Sequence, residues 1–170
     1  MVFDASTLIL LAKIDLLGTV AKEHSIVITP IIQEEATRLT LEDSKLIARL
    51  VRERTIKVRG VGGASADIKR LQRDFHIASG EASSLWLAHM LQDTLATDDG
   101  RTIKAAKVLR VPFVTAVHFL IASYRRGEVS KDLASVKLEK LAKFGRYHPR
   151  IIEHARAQFD EGEKLDRERG

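Results

Sequence analysis

Thr94-Leu95-Ala96-Thr97-Asp98-Asp99 runs from a short apolar strand straight into two carboxylates. Upstream, Ser79-Gly80-Glu81-Ala82 opens a helix with Ala82, Leu85, Trp86 and His89 on one stripe. Downstream, a helix over 102–109 leads to a strand over 111–115. The same rhythm extends back to the start of the chain. Val2-Phe3-Asp4 reads as a short buried strand ending in an acid, and Leu8, Leu11, Ala12, Ile14 and Leu17 recur at helical intervals up to a break at Gly18. Ser25-Ile26-Val27-Ile28-Thr29 is a β-branched strand, and Pro30 suits the first turn of the helix continuing through Ile31 to Ala36. A helix from about Leu41 to Glu53 puts Leu46, Ile47, Leu50 and Val51 on one face, and Thr55-Ile56-Lys57-Val58 alternates as a strand. Gly60-Val61-Gly62-Gly63-Ala64-Ser65 is a loop before a helix through Ile68 and Leu71. Strands alternating with helices in this way build an α/β fold, a central parallel sheet with helices on both faces.

From about Ser130 the strand signal stops. Leu133, Val136, Leu138 and Leu141 mark one helix, and Ile151, Ile152, Ala155 and Phe159 another. The charged run from Asp160 to Gly170 is expected to fray. At 170 residues and 45% hydrophobic content the chain has apolar material for a real core, which excludes general disorder. Aromatics are only 5%, so that core is aliphatic. Cysteine is absent, which excludes disulfides, thiolate zinc sites and cysteine nucleophiles. Lys and Arg number 28 against 23 Asp and Glu, a net charge of +5 that permits nucleic-acid or anionic-surface binding. The apolar start, 1–17, carries Asp4, Lys13 and Asp15, too many charges for a membrane span, and an acid at position 4 does not suit a signal peptide. The expected location is the cytoplasm.

Open parallel sheets place their sites at the carboxyl ends of the strands. That rule selects Asp4 after the first strand, and Asp98 and Asp99 after the strand at 94–97. Glu34 and Glu35 lie in the first turns after the strand ending near Thr29, and Glu81 starts the helix that leads to Asp98. Clustered ionised carboxylates repel one another, and burial adds to the cost. A divalent cation relieves both, and an all-oxygen donor set favours Mg²⁺ or Mn²⁺. Each acid also has a purely structural reading. Asp4 beside Ser6-Thr7 suits a helix N-cap, Asp98-Asp99-Gly100 a turn with a cap, and Glu34, Glu35 and Glu81 the positive end of a helix dipole.

Other chemistries fit less well. An aspartyl-phosphate phosphatase needs a second Asp where Ser6 stands. No Gly-Lys-Ser/Thr follows Gly60-Val61-Gly62-Gly63, so that segment reads as a loop instead of a phosphate cradle. The six histidines are scattered, and Trp86 reads as core. Arg125, Arg126, Lys131, Lys137, Lys140, Lys143, Arg146 and Arg150 cluster before and within the helical tail. They suit either a phosphate-binding patch or a solvated helix face, while the tail's apolar stripe suits a second subunit or an inhibitor.

Four segments together resemble the PIN-domain (PilT N-terminus) family. Val2-Phe3-Asp4-Ala5-Ser6-Thr7-Leu8-Ile9 is similar to its opening, a strand ending in Asp followed by a small and a hydroxyl residue. Thr29-Pro30-Ile31-Ile32-Gln33-Glu34-Glu35-Ala36 resembles the segment bearing the second acid. There an apolar residue precedes the Glu by three positions, so Ile32 selects Glu35, with Glu34 the fallback. Gly80-Glu81-Ala82-Ser83-Ser84-Leu85 resembles the segment of the third acid, and Ala96-Thr97-Asp98-Asp99-Gly100-Arg101 that of the fourth, with Asp99 in register. The likeness covers about 2–122, and its Gly-Glu-Ala and Thr-Asp-Asp forms are similar to a VapC-like branch. The third acid is Glu where Asp is commoner, a longer arm with the same hard oxygens.

The resemblance implies a three-layer α/β/α domain over 1–126, with a helical C-terminal extension over 127–170. It implies an endoribonuclease that hydrolyses phosphodiesters with Mg²⁺ or Mn²⁺, leaving a 3′-hydroxyl and a 5′-phosphate. Asp4, Glu35, Glu81 and Asp99 would be the catalytic and metal-holding acids, with Ser6 and Asp98 orienting ligands or water. It further implies a homodimer, and a small inhibitory partner of the antitoxin kind, hence a toxin–antitoxin role. The rival expectation is a PIN-like module that binds RNA or protein without catalysis. An inward-facing acid quartet favours the enzyme, and an outward Glu81 the rival.

Overall fold

The computed structural model describes residues 1–38 and 42–169. The chain divides into two compact units, Met1–Thr115 and Ala116–Gly170. In the first, five parallel strands form one sheet: β1 (Val2–Phe3), β2 (Ile26–Ile28), β3 (Ile56–Val58), β4 (Leu95–Ala96) and β5 (Phe113–Val114). Their order is β3-β2-β1-β4-β5. The connections run outward in opposite directions from β1 and β4, so the topological switch point lies between these two central strands. Sites in such sheets open at that point, outside the carboxyl ends of the strands.

Among the described residues seven helices cover this sheet: α1 (Ala5–Lys13), α2 (Leu17–Glu23), α3 (Pro30–Thr37), α4 (Glu42–Arg52), α5 (Ser65–Phe75), α6 (Ser79–Leu91) and α7 (Gly100–Val108). Right-handed crossovers put the helices of the two directions on opposite faces. Accordingly α1, α2, α3 and α4 pack among themselves, and so do α5, α6 and α7. The fold is three-layer α/β/α. The second layer's core is aliphatic, with Ile68, Leu71, Ala82, Leu85, Ala88 and Ala105 buried against Val2 and Leu95. Across the two layers α3 touches α6, the contact that brings Glu35 to the start of α6.

Local chemistry moves several expected boundaries. The first helical break falls at Ile14–Leu16 and not at Gly18, which lies inside α2. Asp15 takes a left-handed backbone there (φ 52), a conformation Asp tolerates better than most side chains. Thr29 and Thr97 follow directly on their strands: Thr29 caps α3, and Thr97, whose N–H still donates to Val114 O at 3.0 Å, gives its hydroxyl to Asp4. Pro112 has no N–H for a ladder, so β5 begins at Phe113, although the Pro112 carbonyl still accepts from Leu95 N at 2.8 Å. Asp99 caps α7, which therefore starts at Gly100. Leu41, the expected start of the fourth helix, lies outside the described residues. On α6, His89 is exposed, and Trp86, half-buried, packs at the edge of the core.

α1 and α4 are joined by an ion pair, Lys13 Nζ to Asp43 Oδ2 at 2.7 Å. The Lys13 hydrogen bond holds the Asp43 carboxyl below its ordinary value. A depressed carboxylate stabilises the fold above its unfolded pKa and loses that contribution as pH falls through the folded one. Asp43→Asn is therefore expected to lower stability at pH 7 by about 0.5 kcal/mol, a partly exposed pair's magnitude. Denaturation curves of variant and wild type should converge near pH 2.

The second unit consists of α8 (Ala116–Arg125), α9 (Lys131–Phe144) and α10 (Pro149–Arg169), each packed on the other two. Ser130 caps α9 through Leu133 N. Tyr124 stacks edge-on against Phe159 at 4.9 Å and donates to its carbonyl at 2.7 Å. The backbone stays helical through Arg169, where fraying was expected; the run is rich in Glu, Lys and Arg, which favour helix without any burial. Among the described residues no helix is long and apolar enough to cross a membrane.

Candidate functional site

Asp4 ends β1 and is 2% exposed. Its backbone N–H still belongs to the sheet, donating to Ala96 O at 2.9 Å. Its carboxylate leaves the sheet to cap α1: Oδ1 accepts from Ser6 N at 3.1 Å, and Oδ2 accepts from Ser6 Oγ at 3.1 Å and Thr97 Oγ1 at 2.6 Å. Asp98 and Asp99 follow β4 directly alongside. Asp98 accepts from Thr7 Oγ1 at 2.6 Å, while its N–H donates to Ser6 Oγ at 3.1 Å. Asp99 Oδ1 accepts from Arg101 N, Thr102 N and Thr102 Oγ1 at 3.0, 2.7 and 2.9 Å. The buried hydroxyls of Thr7 and Thr97 thus stitch β1 to β4 across the switch point.

The two glutamates arrive from helices. Glu35, on α3, lays its carboxylate over Gly80: a Cβ built there would lie 2.4 Å from Oε2 and 2.6 Å from Oε1. Glu34 is exposed on α3, one position earlier in the chain. Glu81, half-buried, turns its Oε2 back to accept from Ala78 N at 2.6 Å. A buried hydroxyl chain braces the same corner from behind. Ser83 Oγ donates to Gly80 O at 2.7 Å, which leaves Thr29 Oγ1 to donate across 2.8 Å to Ser83. Thr29 is the N-cap of α3, so the helices bearing Glu35 and Glu81 are registered through one pair of hydroxyls.

The acids feel one another. Burial pushes the Asp4 carboxyl up against the opposing hydrogen bonds from Thr97 and Ser6, and the charge of Asp99 adds to the rise. Glu35 is raised by desolvation, then by Asp4 and Glu34. Glu81 is raised by burial, against the lowering bond from Ala78, and further by Asp99, Asp4 and Glu35. Glu34 and Glu35, by contrast with the expected dipole role, lie beyond the first turn of α3. Asp4, Asp99 and Glu81 each satisfy backbone N–H groups at a helix start, and those helix starts converge on one edge of the sheet.

A model of the family described as DUF3368, PIN domain, matches residues 1–161. The chain belongs to the PIN-domain family. No curated protein and no solved structure matches it. PIN domains are generally nucleases, and they typically use divalent metal ions.

The donor set of this PIN domain fits such an ion. Its acids are hard oxygen ligands, and three have carboxyl groups pushed upward by desolvation and by one another, the cost a cation offsets. Among the described residues no three His, Asp or Glu side chains already converge on a single point that could hold a metal. Their oxygens are instead turned onto Ser6, Ala78, Arg101 and Thr102 N–H groups. The sequence reading missed Thr7, Thr97, Thr29, Ser83 and Gly80. The one available signal was a hydroxyl residue immediately before or after an acid-bearing segment.

Proposed function

We propose that this PIN domain is a Mg²⁺- or Mn²⁺-dependent endoribonuclease of the VapC-like kind. The observation that supports this is that Asp4, Glu35, Glu81 and Asp99 lie within electrostatic reach of one another beside the β1/β4 switch point, with three of their carboxyl groups raised. Asp4 and Asp99 would hold the metal from strand ends, and Glu35 and Glu81 from α3 and α6. A bound divalent ion lowers the pKa of water and offsets charge on phosphoryl oxygens. Ser6 and Thr97 hold the Asp4 carboxylate in place, and Thr7 does the same for Asp98; Glu81 and Asp99 would turn from their helix starts toward the ion. Hydrolysis would join a water oxygen to phosphorus and break the bond to the 3′ oxygen, which leaves as a hydroxyl beside a 5′-phosphate.

A cytoplasmic location, a homodimer and silencing by a small antitoxin-like partner belong to the same proposal. The competing reading, a non-catalytic RNA- or protein-binding module, draws on the Glu81 bond to its own helix start. Incubating the protein with single-stranded RNA separates them. The nuclease reading expects cleavage with Mn²⁺ or Mg²⁺, none with a chelator, and ligatable 5′-phosphate ends. Glu34→Gln, on an exposed side chain of α3, is expected to cut within about twofold of wild type, as surface changes usually do. Intact RNA under all metal conditions would favour the binding module.

A further inference from the structure

A cleft of about 400 Å³ is lined by Asp74, Phe75, His76, Arg101 and Lys104. Its volume lies in the range of small-ligand sites. Both walls lead directly into the acid cluster. One wall is the first turns of α7, where Arg101 stands two residues beyond Asp99, whose carboxylate accepts its N–H. The other is the end of α5, and from His76 the chain needs two residues to reach Ala78, whose N–H is bound by Glu81. Arg101 clamps the two walls together, donating from Nη1 to His76 O at 2.9 Å.

The cleft's charge is unbalanced. Arg101 and Lys104, one turn apart on α7, are exposed and have no carboxylate partner among the described residues. The acid in the lining, Asp74, lies 3.3 Å from Arg73 Nε. His76 is exposed in a left-handed backbone conformation (φ 53) that ends α5, with the Phe75 ring half-buried beside it. Phe75 is packed against the core, so what the cleft offers a strand is unpaired positive charge for its phosphates. In the second unit Arg126 is paired with Glu128 at 3.0 Å and Lys131 with Asp160 at 2.8 Å.

We infer that this cleft holds the nucleotides flanking the scissile bond of a single-stranded RNA, with Arg101 and Lys104 on its phosphates. This rests on the nuclease reading for its substrate, and its test does not need catalysis. A fluorescein-labelled single-stranded RNA of about 12 nucleotides is titrated by anisotropy in EDTA, with salt varied from about 50 to 200 mM. Each phosphate contact on a single strand contributes about 0.7 to the slope of log affinity against log salt. The Arg101→Gln/Lys104→Gln double variant is expected to flatten that slope by about 1.4 and to weaken binding about tenfold at low salt. Lys104→Gln alone, which breaks no bond in the structure, is expected to give half the slope change. Arg52→Gln, exposed on α4, is the charge-matched control and should leave the slope unaltered.

An unchanged slope in both cleft variants, or no RNA binding by the wild type at low salt, would overturn the inference. The two readings can fail separately. RNA binding that depends on the cleft without cleavage keeps the cleft and removes the nuclease. Cleavage by a protein whose RNA binding ignores Arg101 and Lys104 does the reverse.

Discussion

Asp4→Asn is expected to abolish RNA cleavage while making the metal-free protein more stable. The loss follows from removing a hard anionic ligand: several kcal/mol of charge stabilisation, at about 1.4 kcal/mol per decade, corresponds to about 10³-fold or more in rate. The gain follows from the sign of the Asp4 shift. Its carboxyl is raised in the fold by burial, opposed by the Thr97 and Ser6 hydrogen bonds. A raised acid costs nothing below its unfolded pKa, and its charged form costs progressively more as pH climbs from there to the folded pKa. At pH 7 the wild type bears a cost of this sign, and the amide does not. Asn keeps the Ser6 N–H bond through its oxygen. Its NH₂ then faces Ser6 Oγ and Thr97 Oγ1, hydroxyls that can rotate to accept. The metal-free variant should therefore melt above wild type at pH 7. The difference should vanish near pH 4 and below. A variant that cuts normally, or melts lower at pH 7 and not at pH 4, contradicts this account of Asp4.

Gly80→Ala is expected to separate activity from stability in a second way. The new Cβ would fall 2.4 Å from a Glu35 carboxylate oxygen, a contact no real Cβ tolerates. Glu35 ends a flexible side chain on a helix that keeps solvent access, so it swings aside at little cost. Ala is also the better helix former by up to about 1 kcal/mol, so the melting temperature should stay level or rise. What is lost is the placement of one carboxylate beside Glu81, and displaced ligand geometry costs about 10- to 100-fold in affinity or rate. Melting curves and cleavage rates on one preparation decide it. Full activity in Gly80→Ala would mean that the position of Glu35 over Gly80 is irrelevant to the chemistry.

These two residues mark how far the sequence carries the reading. Asp4 was legible because a carboxylate directly after a buried β-branched or aromatic strand lands at a sheet's carboxyl edge whatever the rest of the fold does. Asp98 and Asp99 were legible on the same ground. Gly80 was not, because its importance depends on how closely α3 approaches α6, a distance no local pattern encodes. The Thr29–Ser83 and Thr97–Asp4 hydroxyl bonds span 54 and 93 positions and escape any reading by spacing. Asp15 shows the complementary limit: the helical stripe ran on past it, and only the backbone reveals that this Asp turns the chain three residues before the expected glycine. The tail carries the densest basic cluster, yet part of it is ion-paired, while Arg101 and Lys104 on α7 have no carboxylate partner among the described residues. Charge density in a sequence does not say which charges are already neutralised.

The central claim is that the four acids form one metal-binding unit, and Mn²⁺ calorimetry on the chelator-stripped full chain tests it most directly. The account predicts saturable binding to the wild type that Asp4→Asn removes, with RNA cleavage lost in the same variant. No binding by the wild type, or equal binding by Asp4→Asn, would contradict it.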